Sequence, residues 1–495
     1  MSFLGRVAHF GVLLADSFVL VLLLIPLSLP FSPYSGQQQP ASWGGHRRFC
    51  TGSRAMEMPG GGKAGDNNRI PQATGIHSQS VLQREVRAAV DNLNWPPLAS
   101  RGWAPIPAIP SDEGGVEGVE GGKKLKILSW NILCDGLSGA HPTRGDFLKA
   151  PKGSLDWGKR RWKILEEIIK WDCDVLVLQE VDHHHDWLSP MLAKEGYRSL
   201  FVKKPIAPGI TFNPHLEDGC SFFYRATAPI TAATATSAGE GRASDERETG
   251  TATTTLELLD AHTFTMAVVE GDDSAEDGEG AGDDGKDDQK KGPAEPVAGN
   301  QVAIISLLRV SSSVGADGCD AGGETLVIVS TTHLKAVKNA HGETIRTRQA
   351  KQLLDEVARF RAGHEQARGL PSGSIPLIVA GDFNATPRSF GGYEPLCYRQ
   401  VTAHPLALRS ALPNGEDFFT TWKIRPAKKS PGKGPAVEGA TRESKHCIDY
   451  MWVSSGLKPV SGSTLPSAEE LGPTRAPSFV YPSDHFAIAV DLRIP

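Results

Sequence analysis

Asp174-Val-Leu-Val-Leu-Gln-Glu180 is a short apolar run that stops on an acid. A continuous apolar run of this length suits a strand buried on both faces, as in an α/β sheet. Two other runs end the same way: Leu125-Lys-Ile-Leu-Ser-Trp-Asn131 upstream and Pro376-Leu-Ile-Val-Ala-Gly-Asp-Phe-Asn384 far downstream. If these are neighbouring strands, their polar ends meet in one cluster. Carboxylate and amide oxygens without a thiolate suit a hard cation, Mg²⁺ first and Mn²⁺ in its place. Such a cation among acids points to metal-assisted attack on a phosphate.

Around these runs the pattern alternates strand and helix. Strands are expected at Lys126–Ile132, Asp174–Leu178, Cys220–Tyr224, Thr263–Val269, Gln301–Val310, Thr325–Thr331, Leu377–Ala380, Ile448–Val453 and Phe486–Leu492. Trp162, Leu165, Ile168 and Ile169 share one face at helical spacing, which predicts a helix over Trp157–Trp171. Further helices are expected at Leu188–Glu195 and Glu343–Ala362, and Lys159-Arg-Arg161 reads as a solvated helix face.

Much of the 495-residue chain does not read as core. Its 53 glycines and 35 prolines concentrate in a few stretches, and the net charge of −5 argues against a strongly basic nucleic-acid-binding domain. The seven cysteines show no zinc spacing. Their number is odd in a long chain, which argues against a disulfide framework. The catalytic region is assigned to residues 123–495, interrupted by low-complexity insertions near 231–253, 271–298 and 426–445. Residues 35–122 read as linker, with one short amphipathic segment at Ser80–Leu93. Residues 1–34 hold an apolar run, Val12–Phe31, whose only charge is Asp16. It suits a membrane span, a cleaved signal, or, with Arg47, Arg48 and Arg54 following, an address for an organelle such as the mitochondrion. The expected location is therefore a membrane or an organelle. The sequence does not indicate an oligomeric state.

The polar stops form an ordered set: Trp130-Asn131, Gln179-Glu180, Thr332-His333-Leu334-Lys335, Gly381-Asp382-Phe383-Asn384, Ile448-Asp449-Tyr450 and Ser483-Asp484-His485. A single match means little, but together they resemble the endonuclease/exonuclease/phosphatase superfamily. Leu178-Gln-Glu-Val-Asp-His183, Asp218-Gly-Cys220, Asn300-Gln-Val-Ala-Ile304, Thr420-Thr-Trp-Lys-Ile-Arg425 and Pro477-Ser-Phe-Val-Tyr-Pro-Ser-Asp-His485 place the resemblance in its nocturnin branch. Related deadenylases of the carbon-catabolite-repression type share fewer of these stretches. The resemblance implies a four-layer α/β sandwich of two mixed β-sheets flanked by helices. It also implies Mg²⁺-dependent hydrolysis of a phosphoester, with an inactive binding module as the remote alternative.

The resemblance further implies roles. Glu180 is the main metal ligand, with Asn131 beside it and Asp484 near a second ion. Asp382 orients or deprotonates the water, while Asn384 and His333 hydrogen-bond phosphoryl oxygens. Asp449 orients His485, which engages the phosphoryl group. In the nocturnin branch the implied reaction removes the 2′-phosphate of NADP(H); the alternative is 3′–5′ exonuclease action on single-stranded poly(A) RNA. Lys204, Asn300, Lys335 and Arg425 are the substrate-side candidates, since a dianionic monoester needs several cations. The branch has an arginine where this chain has Val337; Lys338 is a substitute that would start from a different face. His183-His184-His185 is read as no metal site, because consecutive side chains diverge. Asp182 and His183 are read as shaping the pocket.

Overall fold

Successive side chains of the central strands enter two different cores, which is why these runs lack polar alternation. The computed structural model describes residues 79–107, 123–138, 147–207, 216–227, 254–269, 296–312, 325–413, 417–427 and 440–494. In chain order the strands are β1 (Trp103–Pro105), β2 (Lys123–Asn131), β3 (Val175–Val181), β4 (Tyr197–Lys203), β5 (Gly219–Arg225), β6 (Thr254–Val269), β7 (Pro296–Ser312) and β8 (Thr325–His333). They continue as β9 (Leu377–Asp382), β10 (Arg409–Ser410), β11 (Thr421–Pro426), β12 (Thr441–His446), β13 (Asp449–Val453), β14 (Lys458–Ser463) and β15 (Ile488–Ile494). The main helices are α1 (Val81–Leu93), α2 (Trp157–Trp171), α3 (Ser189–Ala193) and α4 (Ala340–Ala367).

The first sheet runs β1-β14-β15-β2-β3-β5-β4 and the second β10-β13-β9-β8-β7-β6, while β11 and β12 form a separate hairpin. Both sheets are mixed, with β2 parallel to β3 and β8 parallel to β9. Ile127, Val175, Val177 and Phe222 of one sheet pack with Ile304, Val329, Ile378 and Met451 of the other. The alternate residues Leu128, Trp130, Leu176 and Leu178 face outward with Ile164, Leu165 and Ile168 of α2. On the far side Ile328, Leu377 and Val379 pack with Leu353, Leu354 and Val357 of α4. This is the expected four-layer sandwich. The α2 boundaries are those predicted, and its N-cap Asp156 accepts from the Gly158 N–H.

Several expectations need correction. The amphipathic segment at Ser80–Leu93 is a helix, and residues 94–107 beside it are not linker. Ser80 caps α1, Leu82 and Val86 join the core of the first sheet, and β1 pairs with β14. Arg101 is buried and donates from Nη1 to Glu167 at 2.8 Å and to the Tyr481 hydroxyl at 2.9 Å. Its Nε donates to the Thr464 carbonyl at 2.8 Å, and Nη2 reaches the Ala487 carbonyl. Nor is Arg160 solvated: fully buried, it donates to the carbonyls of Ile132 at 3.0 Å and Pro482 at 3.3 Å, tying the end of β2 to the segment before β15. The insertions are shorter than expected, because β7 begins at Pro296 and β12 at Thr441. Residues 231–253 and the run Val12–Phe31 lie outside the described residues. Among the described residues no helix is long and apolar enough to cross a membrane.

Breaking a buried ion pair leaves an uncompensated charge, at a cost of about 3–5 kcal/mol. Arg101→Met in the full chain is therefore expected to lower unfolding stability in urea by that amount. A chain starting at Lys123, which lacks α1 and β1, is expected to lose cooperative unfolding, whereas one starting at Gly75 keeps it. A Lys123 chain as stable as the full one would remove residues 79–107 from the folded unit.

Candidate active site

The polar stops converge because parallel neighbours end at the same level. Asn131 of β2 lies opposite Gln179 of β3, and His333 of β8 lies opposite Asp382 of β9. Asp449 opens β13 as the register partner of Asp382. Glu180 sits where the β3–β5 register shifts, with φ of +52°. A bulge re-aims the side chain it carries, here turning Glu180 toward the second sheet's strand ends. The Asn131 amide bridges the carboxylates, donating to Glu180 Oε1 at 2.8 Å and Asp382 Oδ2 at 3.1 Å. Its oxygen accepts the Leu133 N–H at 3.0 Å. At Gly381, φ is +148° and a Cβ would stand 2.1 Å from the Thr332 carbonyl oxygen, so only glycine lets β9 approach β8 this closely before Asp382.

His485 Nδ1 faces Asp449 Oδ2 at 2.9 Å and Asp382 Oδ2 at 3.8 Å. Burial alone would lower the imidazole's pKa, but Asp449, Asp484 and Asp382 outweigh it and raise the value to about 9. Thr420 holds the other side of this pair, donating its hydroxyl to Asp449 and accepting the N–H groups of Ile448 and Asp449 at 3.0 Å each. His333 is the opposite case. Burial, then Lys204, lower its pKa to about 4, so the ring is neutral at pH 7. Its Nε2 lies 3.5 Å from Asp382 Oδ2 and 4.0 Å from Glu180 Oε1.

Basic side chains ring the cluster. Lys423 and Arg425, two apart on β11, both reach Asp484, Arg425 at 3.7 Å. Arg425 also lies 4.0 Å above the Phe147 ring. Burial would raise the Asp484 pKa, but Lys423, His485 and Arg425 hold it well below the ordinary carboxylate range. Buried Lys204 pairs with Asp218 at 2.7 Å; against burial, Asp218 and Glu180 keep its ammonium above the usual lysine value. Lys335 is buried just after β8, with its N–H on Gln349 and its carbonyl accepting from Arg346. Half-buried Lys338 reaches Asn384, and burial and Arg346 lower its pKa to about 7. The structure thus gathers Asn131, Glu180, His333, Asp382, Asn384, Asp449, Asp484 and His485. Asn300 instead clamps the backbone of Ile206, accepting its N–H at 2.8 Å and donating to its carbonyl at 2.7 Å. Lys423, Thr420 and Asp218 were not singled out in the sequence, although each lies within a stretch quoted above.

Around that cluster, Asp182 accepts the Gly136 N–H at 3.0 Å and holds the loop after β2. The three consecutive histidines do diverge. His183 pairs with Asp186 and stacks on Trp157, His184 lies between Ser221 and Ser199, and His185 is exposed.

The fold and the cluster are those of a phosphoester hydrolase, and the chain matches the Endonuclease/Exonuclease/phosphatase family over residues 128–485. It belongs to that family. Nocturnin of Xenopus laevis is 28% identical over 378 residues, which cover 75% of this chain and 72% of the frog protein. The CCR4-Not complex 3′–5′-exoribonuclease subunit Ccr4 of Neurospora crassa is 24% identical over 465 residues, 79% of this chain but only 48% of the fungal protein. The crystal structure of ANGEL2, a 2′,3′-cyclic phosphatase, in complex with adenosine-2′,3′-vanadate, superposes with a TM-score of 0.50 at 18% identity, covering 80% of this chain and 99% of that one. That likeness is one of fold.

The raised His485 value has a consequence for stability. The ordinary imidazole value is 6.5 and the folded one about 9, so the stabilisation is complete below about pH 6.5 and is lost as pH rises through 9. With EDTA present, the urea-unfolding difference between the wild type and His485→Gln is expected to shrink by on the order of 2–3 kcal/mol between pH 6 and pH 10. A difference independent of pH would mean that His485 is neutral in the fold.

Proposed function

We propose that the chain is a divalent-metal-dependent phosphatase that removes the 2′-phosphate of NADP(H). The observation that supports it most is the convergence of Lys423 and Arg425 on the single carboxylate of Asp484, beside a protonated His485. Three cationic groups around one acid suit a terminal monoester better than an internal phosphodiester, which carries about one charge fewer. The similarity to Nocturnin supports the same reading.

The residues fit a hard cation. Glu180 and Asp382 present carboxylate oxygens around one shared amide, and Glu180, with Asp382 and Asn131 at its side, would hold Mg²⁺ or Mn²⁺. Asp382, Asp449 and His485 also bring three ligand-type atoms within 4.8 Å of one another. The imidazole nitrogen in that trio faces Asp449 and carries a proton, so we assign the trio to proton holding. The bound ion would withdraw charge from a phosphoryl oxygen and so lower the barrier to attack.

The chain's own residues do the rest. Asp382 accepts a proton from the attacking water, and Asn384 and neutral His333 donate to phosphoryl oxygens. His485, oriented through Nδ1 by Asp449, offers Nε2–H to the phosphoryl group. The new bond joins the water oxygen to phosphorus, the bond to the ribose 2′-oxygen breaks, that oxygen takes up a proton from solvent water, and Asp382 returns its proton to solvent. Asp484 keeps Lys423 and Arg425 in place for the substrate's charge, while Lys204, paired with Asp218, supplies buried positive charge near Glu180.

Glu180→Ala is expected to abolish phosphate release from NADP⁺ with the thermal unfolding midpoint retained, and EDTA is expected to do the same to the wild type. Lys423→Ala and Arg425→Ala are each expected to weaken catalysis on NADP⁺ by about 1–3 kcal/mol, and hydrolysis of oligo(A) by much less. Equal losses on the two substrates, or faster turnover of oligo(A) by the wild type, would replace the phosphatase reading with the 3′–5′ exonuclease one.

A further inference from the structure

Lys338 lies in the loop between β8 and α4, and the chemistry above gives it no task. Its ammonium donates to two oxygens of one residue, the backbone carbonyl and Oδ1 of Asn384, at 2.8 Å each. Asn384 is held at φ of +50°, a conformation an L-residue adopts at some cost. Its N–H donates to Asp382 Oδ1 at 2.8 Å, and its Nδ2 to the Leu334 carbonyl at 3.0 Å. The two ends of an asparagine amide have nearly the same shape, so its hydrogen bonds decide which end is the donor. With Oδ1 on an ammonium and one Nδ2–H on a carbonyl, the orientation has a single solution. The second Nδ2–H remains for a phosphoryl oxygen.

The loop that presents Lys338 is itself fixed. Arg346 donates to the Lys335 carbonyl at 3.0 Å and also to the Val337 carbonyl, and Glu343 anchors that guanidinium at 2.8 Å. Gly342 allows the loop to lie against α4, since a Cβ there would stand 2.2 Å from the Val337 oxygen. Burial first, then Arg346 and Lys423, disfavour the charged form of Lys338, while Asp382 and Asp449 favour it. A lysine nitrogen withdrawn from water in this way needs acceptors, and Asn384 supplies two of them.

We infer that Lys338 is a positioning residue: it locks the Asn384 backbone and amide so that Asn384 can act only as a donor to the bound phosphoryl group. This rests on the reading of Asn384 given above.

The test is a double-mutant cycle in the full chain between Lys338→Met and Asn384→Ala. Lys338→Arg serves as the conservative rescue, and Lys338→Gln replaces the Met variant if that one does not fold. Turnover is measured on whichever of NADP⁺ and oligo(A) the wild type hydrolyses, and inorganic phosphate affinity is measured by titration calorimetry. Lys338→Met is expected to lower kcat on the order of a hundredfold, with KM changed less than about threefold, and to weaken phosphate binding. Lys338→Arg is expected to recover part of both, and Lys338→Met to add nothing once Asn384 is Ala. Losses that add in the double variant, or wild-type kcat in Lys338→Met, would overturn the inference. Coupled phosphate binding without turnover of NADP⁺ would retain Lys338 in this role and remove the phosphatase reading instead.

Discussion

Several carboxylates are buried at one end of the sandwich, and the surrounding structure is arranged to make that tolerable. Asp382, Asp449 and Asp484 are 1–3% exposed, and a buried carboxylate without a partner costs several kcal/mol. Each has its own compensation. Asp382 shares the Asn131 amide with Glu180, Asp449 has His485 and Thr420, and Asp484 has Lys423 and Arg425. These partners come from different parts of the chain, so the site can form only when both sheets and the β11–β12 hairpin are in place. Under the proposed function such a site would be pre-charged for its ligand, because the cations that neutralise the acids would also meet an incoming phosphate.

The backbone bears part of the cost. Glu180 and Asn384 both adopt positive φ without being glycine, and both stand at strand ends in the site. Strain of this sort persists only where the surroundings over-determine it. Fully buried Val177 and Leu178 before Glu180, and Val379 and Ala380 before Asp382, supply that support. The two layers of helix act from outside in the same way, as Arg160 of α2 and Arg346 of α4 each hold backbone carbonyls next to the site.

The sandwich's central strands were legible because burial on both faces leaves a plain apolar signature that ends abruptly at Asn131, Glu180 and Asp382. Helix α2 was legible from its single apolar face. The edge strands β1 and β4, and β14 beside β1, were not, since Trp103-Ala-Pro105 and Lys458-Pro-Val-Ser-Gly-Ser463 mix polar, small and proline residues and are defined by their pairing partners. Arg101 was lost in a stretch that composition marks as linker, because the contacts that bury it lie far along the chain. The same holds for Lys423 and Thr420: their motif was visible, but which of its residues meet Asp484 and Asp449 depends on how the hairpin docks. For Asn300 the motif was visible, while its clasp of the Ile206 backbone depends on how the loop after Lys204 folds back.

The first and last parts of the fold are stitched to each other. β2 lies between β15 and β3, β1 pairs with β14, and Arg101 reaches the carbonyl of Ala487, 386 positions later. A ribosome releases the chain in the opposite sense, with Arg101 emerging long before its acceptor exists. Until β15 leaves the exit tunnel, the first sheet has a gap beside β2 and Arg101 has no complete set of partners. The domain therefore cannot complete its folding until β15 has been made and released. Long insertions within the chain add little to this delay in free-energy terms, since closing a loop grows costlier only with the logarithm of its length. They do add to the time for which an unfinished sheet edge is exposed.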